Sequence, residues 1–158
     1  IESLRKSKIN WIDFLNENLL RTKLTELERN TKPVFGKMKG QQMIEHLSFL
    51  MQISNGKVNA DYFVDDEKAK RRKAFLDTEG ELQVGFKEPL LSEEPNLEKF
   101  ENIEVAIDDL IQQIEDFKTH FETAKLENHP FFGELDYDYW VKFHVKHFTH
   151  HFKQFNLL

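Results

Sequence analysis

Cysteine is absent from this chain of 158 residues. Its absence excludes disulfides, thiolate catalysis and every zinc motif that is built on cysteine. A transition metal bound to this protein would therefore be held by histidine nitrogens and carboxylate oxygens, which are the other common protein ligands.

Long apolar runs and an excess of positive charge are also lacking. No apolar run reaches the roughly 18 residues that a membrane-spanning helix needs, and no charged-then-apolar leader opens the sequence. The 28 acidic residues outnumber the 22 Lys and Arg, for a formal charge of −6. Binding to nucleic acid or to an anionic membrane needs a basic stripe, and the one basic run, 68–73, follows acidic residues and is interpreted as a solvated segment. We therefore expect a cytoplasmic protein that binds neither nucleic acid nor membrane.

The length predicts a single domain over residues 1–158. Apolar residues recur at helical spacing in four segments, which are 9–29, 40–55, 102–125 and 136–155. The intervening stretch 57–100 breaks this pattern, and we expect it to be a long, lid-like excursion with a helical turn near 66–75 and a short strand or hairpin near 82–86. Four amphipathic helices without a convincing sheet predict an all-α four-helix bundle.

Histidine is concentrated at the end of the chain, where four of the seven histidines lie between residues 144 and 151. At about 100° per residue, His144, His147 and His151 share the apolar side of the last predicted helix. The opposite side of this helix carries three lysines and a threonine, which are Lys142, Lys146, Lys153 and Thr149. The three imidazoles are therefore predicted to point into the bundle. On the helix 40–55, His46 also faces inward, on the side of Met43 and Leu47.

Buried imidazoles need partners, because burial of an unpaired polar group is costly. His147 and His151, one turn apart, can converge on one ion, and His46 could supply a third ligand from another helix. The spacing of His144 and His147 offers a competing pair, so the pattern does not settle which histidines bind. A site with all four histidines and a core held by hydrogen bonds alone are the remaining interpretations.

Two stretches resemble the DinB-like superfamily: GKMKGQQMIEHL at 36–47 and HPFFGELDYDYWVKFHVKHFTHHFKQF at 129–155. Within that superfamily they are most similar to a branch catalogued as a domain of unknown function. Relatives of this branch also occur as a C-terminal appendage of a ring-opening enzyme of phenylacetate breakdown. The resemblance covers nearly the whole chain from about residue 20 onward.

The resemblance implies a four-helix bundle that binds zinc or nickel through one histidine of the second helix and a His-x-x-x-His pair of the fourth. The matching positions here are His46, His147 and His151, and we interpret His144 as a catalytic group that orients substrate or shuttles a proton. The implied activity is that of a metal-dependent hydrolase or thiol transferase acting on a small molecule.

A second interpretation is a non-catalytic accessory or oligomerisation module with a structural or vestigial metal site. It is kept because no clear general base appears outside the histidines; Glu45 neighbours His46 but lies on the other face of its helix. A homodimer formed through helix faces is compatible with this architecture.

Overall fold

The computed structural model describes residues 10–61, 65–83 and 98–158. The described part of the chain is mostly helical, as expected. Its α-helices are α1 (Glu17–Leu24), α2 (Gly40–Ser54), α3 (Asp66–Lys73), α4 (Ile103–His120) and α5 (Tyr137–Gln154), with a 3-10 helix at Ala74–Asp77 directly after α3.

Four of these helices begin at a short polar side chain that accepts a hydrogen bond from a backbone N–H in the first turn. The capping residues are Asn16, Asp65, Asn102 and Asp136. Asp136, the first residue of the segment 136–155 that was predicted to be helical, is thus the N-cap of α5. Helix α2 begins differently, because Lys39 has no acceptor to offer; instead the Gln42 side-chain oxygen accepts the Lys39 N–H at 2.8 Å.

The first predicted helix is shorter than expected. Within the described part of the predicted segment 9–29, which begins at residue 10, only Glu17–Leu24 is α-helical. Asp13 directs the preceding backbone into a turn, since its side chain accepts the Leu15 N–H and its carbonyl accepts the Asn16 N–H. Such local bonds compete with helix formation, and they explain why the apolar periodicity of this segment overestimates its helical length.

A small antiparallel sheet forms where the sequence predicted only a loop. Strands β1 (Glu127–His129) and β2 (Gly133–Leu135) pair with Glu127 opposite Leu135. The His129 Nδ1 atom accepts the N–H groups of Phe131 and Phe132, at 2.9 and 3.2 Å, and so closes the turn between the strands. The expected fold class is corrected accordingly: the protein is mostly helical with a two-stranded sheet.

The excursion between α2 and α4 contains more structure than one helical turn. Helix α3 and the 3-10 helix together cover residues 66–77, which confirms and lengthens the helix predicted near 66–75. Residues 81–83 form no strand. The rest of the strand or hairpin predicted near 82–86 lies outside the described residues.

The core is rich in aromatic side chains and lies between α1, α2, α4 and α5. Its largest completely buried members include Trp140, Phe14, Phe117, Phe143 and Phe148. In the three described ranges, no helix combines the length and the apolar character needed to cross a membrane.

Candidate metal site

Helices α2 and α5 place three histidines together in the interior. His147 and His151 are buried on α5, and His46 on α2 is half-buried. On α2, Met43 and Leu47 lie on the same side as His46 and are completely buried. The helical spacing of apolar residues therefore predicted the direction of these side chains correctly.

The three rings meet at their Nε2 atoms. His46 Nε2 lies 2.9 Å from His147 Nε2, and His151 Nε2 lies 3.0 Å from the same atom. When one nitrogen is taken from each of the three rings, these three atoms all lie within 4.8 Å of one another. The structure thus brings together the trio at the matching motif positions.

The number of N–H groups and lone pairs on these rings argues against the interpretation in which hydrogen bonds alone hold the histidines together. A neutral imidazole carries one N–H and one lone pair. His147 Nε2 faces two other Nε2 atoms, so its single proton or single lone pair can satisfy only one of them well. Among the described residues, none hydrogen-bonds to the other ring nitrogen, His147 Nδ1, which is buried. Its ring orientation is fixed by stacking on Phe143, with ring centroids 5.2 Å apart.

Burial also favours the neutral form of the two candidate ligands on α5. Desolvation, followed by the neighbouring imidazoles of His151 and His46, holds the pKa of His147 well below its ordinary value. The pKa of His151 is lowered well below the ordinary value by burial and by His46. Three convergent lone pairs without competing protons are the state that a metal ion requires of histidine ligands.

Two of the three separations between the nitrogens are those expected around one ion. Zinc–nitrogen bonds of about 2.0–2.1 Å place two nitrogens of the same ion about 3 Å apart or slightly more. The observed separations of 2.9 and 3.0 Å are of this size. The donor set of three imidazoles suits zinc, nickel and other borderline divalent ions. These three residues could therefore hold a metal.

Gln154 is a member of this site that the sequence analysis did not assign. Its side-chain oxygen lies 2.7 Å from His151 Nδ1, and its side-chain nitrogen donates to the Phe35 carbonyl at 3.0 Å. The signals in the sequence were its position three residues after His151 and its place in the stretch 129–155 that resembles the DinB-like superfamily. The Phe35 contact joins residues 119 positions apart, and helical spacing cannot predict such a contact.

His144, predicted to be a catalytic group, lies in the aromatic core. It is completely buried, and its ring stacks on Trp140 with centroids 5.3 Å apart. The Ser54 hydroxyl donates to the Met51 carbonyl at 2.8 Å and therefore accepts from His144 Nε2 at 2.9 Å. Desolvation, and to a lesser extent His129, holds the pKa of His144 well below its ordinary value. These are the contacts of a core histidine, and a role toward substrate stays a prediction.

Glu45, the carboxylate nearest in sequence to a candidate ligand, is engaged elsewhere. It accepts the Lys99 N–H at 2.6 Å, the Phe100 N–H at 3.4 Å and the Gln41 side-chain N–H at 2.9 Å. Glu45 thus stabilises the chain just before α4, which agrees with the interpretation that it is not the general base.

The side of α5 predicted to carry exposed lysines is partly covered. Lys146 and Thr149 are buried, whereas their positions on the helix had suggested solvent exposure. Two segments pack over this side: the excursion covers Lys146, and the segment before α1 contacts Thr149, whose hydroxyl oxygen accepts the Ile12 N–H at 3.0 Å. The Lys146 ammonium donates to the Thr78 carbonyl at 2.8 Å and to the Gly80 carbonyl, and it lies 4.8 Å from the ring centroid of Trp11. Burial lowers the pKa of Lys146 to about 8.

Comparison with known proteins gives one match. A family model described as "Protein of unknown function (DUF1569)" matches residues 7–157. No curated protein and no solved structure matches the chain.

Proposed function

The chain belongs to the DUF1569 family, and we propose from its site that it binds one divalent transition-metal ion through His46, His147 and His151. The observation that carries this proposal is the convergence of three Nε2 atoms, with His147 Nε2 at 2.9 and 3.0 Å from the other two. Zinc and nickel are the proposed ions, because three imidazoles suit both.

The proposed activity is hydrolysis or thiol transfer on a small molecule. The chemistry that a divalent ion supplies at such a site is Lewis acidity, which lowers the pKa of a water or a thiol toward neutrality. Three protein ligands leave positions for such a molecule, as catalytic sites require. The chain's own part is to present unprotonated nitrogens from two helices and to keep bulk water away from them, and His147 and His151 are buried accordingly.

The finer assignment follows the resemblance of the sequence. We propose that the arrangement is a DinB-like four-helix bundle formed by α1, α2, α4 and α5, and that the protein acts in the cytoplasm without nucleic-acid or membrane partners. For His144 we propose a positioning role. It lies one helical turn before His147 on α5, its Nε2 bonds to Ser54, and its ring stacks on Trp140.

A non-catalytic accessory or oligomerisation module is the second candidate, and one observation favours it. The carboxylate of Glu45, beside His46 in sequence, is occupied by three N–H donors. In this alternative the metal would be structural or vestigial, and the protein would act by docking or dimerisation.

Metal titration tests the proposed site. Purified protein, stripped with a chelator, is titrated with Zn²⁺ and then with Ni²⁺ by calorimetry, and the metal content of untreated protein is measured by elemental analysis. We expect one equivalent to bind, and His151→Ala to weaken binding at least ~100-fold because it removes one of three ligands. The control is His120→Ala, whose Nε2 lies 2.7 Å from the Glu127 side-chain oxygen and which is not a member of the trio. Absence of binding to the wild-type protein would refute the site.

A second measurement separates the two candidate functions. Replacement of the metal by Co²⁺ gives a visible spectrum that responds to ligands at open coordination positions. An enzyme is expected to show a spectral change on addition of a small thiol. A structural site should be unresponsive, and His151→Ala should then also unfold the protein, because binding energy is folding energy in such sites.

A further inference from the structure

The side chain of Gln154 is placed between a candidate ligand and a distant loop. It is the last residue of α5 and is only 4% exposed. Its oxygen lies 2.7 Å from His151 Nδ1, and its nitrogen donates to the Phe35 carbonyl at 3.0 Å. Both ends of the amide are thus used inside the protein.

The Phe35 carbonyl determines which way this amide points. A carbonyl can only accept, so the NH₂ end of Gln154 faces Phe35 and the oxygen faces His151. The oxygen in turn can only accept, and His151 Nδ1 must therefore be the donor. A neutral imidazole has one N–H, which leaves a lone pair on His151 Nε2, the atom that lies 3.0 Å from His147 Nε2.

The loop holds Gln154 by two further features. The Val34 N–H donates to the Gln154 backbone carbonyl at 2.7 Å. Gly36 has a φ of +81°, and a Cβ atom built there would lie 2.8 Å from the Gln154 side-chain nitrogen. A side chain at this position would be strained and would also displace the amide. The loop 34–36 therefore fits around Gln154 only because residue 36 is glycine.

We propose that Gln154 is the positioning residue of the metal site: through the loop 34–36 it keeps the proton of His151 on Nδ1 and so presents Nε2 to the ion. This inference rests on the proposed function, in which His151 is a ligand. A hydrogen bond to the non-ligating nitrogen fixes tautomer and ring orientation, and its loss typically lowers metal affinity 10–100-fold.

The matched pair of variants is Gln154→Leu and Gln113→Leu. Gln113 is also a buried glutamine, 7% exposed, but its side chain bonds to Asp109, Asn55 and Lys57 between α2 and α4. Both variants remove a buried amide of the same size, and only the first removes the partner of His151.

Two readouts are measured on each variant. The first is the ¹⁵N–¹H correlation spectrum of the His151 ring in metal-free protein, which distinguishes an Nδ1 proton from an Nε2 proton. The second is Zn²⁺ affinity by calorimetry. We expect a single Nδ1–H tautomer in the wild-type protein and in Gln113→Leu. In Gln154→Leu we expect a mixture of tautomers and a 10–100-fold loss of Zn²⁺ affinity.

Two further variants, Gln154→Glu and Gly36→Ala, test the role of Gln154 in different ways. Gln154→Glu keeps an oxygen acceptor for His151 Nδ1 but loses the donor to the Phe35 carbonyl, so the Nδ1–H tautomer should return while Zn²⁺ affinity recovers a part of the loss. Gly36→Ala leaves residue 154 unchanged but displaces its amide, and it should shift the tautomer in the same direction as Gln154→Leu. Gly36→Ala and Gln154→Glu together still decide the question if Gln154→Leu does not fold.

Failure of this inference is distinct from failure of the proposed function. If wild-type protein binds Zn²⁺ and Gln154→Leu keeps both the Nδ1–H tautomer and the affinity, Gln154 is not a positioning residue although the site stands. If wild-type protein binds no Zn²⁺, the proposed function fails and the role of Gln154 toward an ion fails with it. A tautomer shift in Gln154→Leu alone would then mark a purely structural bond.

Discussion

The two sides of α5 bury nitrogen bases in different ways. One side carries the imidazoles of His147 and His151, which are neutral and converge on each other and on His46. The other side carries Lys142 and Lys146, whose ammonium groups each meet oxygen acceptors from the excursion. The same helix thus exposes lone pairs to the interior on one side and N–H donors to a covering segment on the other.

The difference shows which side contributes to stability and which is suited to binding. On the lysine side, acceptors satisfy the donors: Lys142 pairs with Asp77, Lys153 with Glu81, and Lys146 with two backbone carbonyls. On the histidine side, the Nε2 atoms face one another, and one ion could accept a lone pair from each of them. Substitutions on the two sides should therefore affect metal affinity and stability separately.

The largest effect is expected from His147→Leu. His147 Nε2 touches both other candidate ligands, so its loss should lower Zn²⁺ affinity by at least ~100-fold. The free energy of unfolding of the metal-free protein should change by no more than about 1 kcal/mol, because an apolar side chain replaces an imperfectly paired polar one. Calorimetric titration and urea denaturation in chelator give the two values. A large loss of metal-free stability would contradict the proposed division between the two sides.

Lys146→Met should produce the reverse result. The variant removes a buried ammonium and leaves the carbonyls of Thr78 and Gly80 without their donor. Hydrogen bonds from a charged group are worth roughly 2 kcal/mol, and we expect the free energy of unfolding to fall by about that amount. Zn²⁺ affinity, measured on the same sample, should stay within about threefold of the wild-type value. Equal losses in both quantities would show that the two sides are coupled.

His144→Leu should change the pH dependence of stability. The pKa of His144 is well below 6.5 in the folded protein and near 6.5 in the unfolded chain, so only the unfolded chain takes up a proton as the pH falls below 6.5. The free energy of unfolding therefore decreases with falling pH. Removal of this group should reduce the slope by up to about 1.4 kcal/mol per pH unit. Urea denaturation of metal-free protein between pH 7 and 5 provides the measurement, and an unchanged slope would refute the prediction.

The smallest effect is expected from Asp77→Asn on the lysine side. Asp77 accepts hydrogen bonds from Lys142 and Tyr139, at 2.6 and 2.7 Å, and these bonds lower its pKa from 3.8. Its contribution is therefore present above pH 3.8 and is lost as the pH falls through the lowered value. Because the pair is exposed, we expect a cost of no more than about 0.5 kcal/mol at pH 7. Denaturation at pH 7 and pH 3 should show the full difference at pH 7 and a smaller one at pH 3.

Helical periodicity predicted that the candidate ligands face inward, because it determines which side of a helix a residue occupies; the choice of His147 and His151 over His144 came from the resemblance to the DinB-like superfamily. His147 and His151 lie on the apolar side of α5, and His46 lies on that of α2. The N-cap of α5 also depends on neighbouring residues alone, since the Asp136 side chain accepts the N–H of Tyr139, three residues later. Features of this kind are encoded within a few turns of one element.

Contacts between distant segments were not predictable in this way. Lys146 was expected to be exposed because its neighbours on the helix wheel are polar, but Thr78, 68 positions away, covers it. Phe35, whose carbonyl binds the Gln154 side chain, is 119 positions away. The hairpin at 127–135 depends on the side chain of His129, which closes its turn. Periodicity within one element carries no information about which other segment will cover it.

The candidate ligands are far apart in sequence, with 101 positions between His46 and His147. An ion at this site would close a chain segment of about that length, so it could be captured only after the two ends of the domain have docked. A fragment that stops before residue 137 would retain only His46 of the three. The rate of metal uptake during refolding from urea would therefore report the rate at which α2 docks against α5, and the protein would need no fluorescent label.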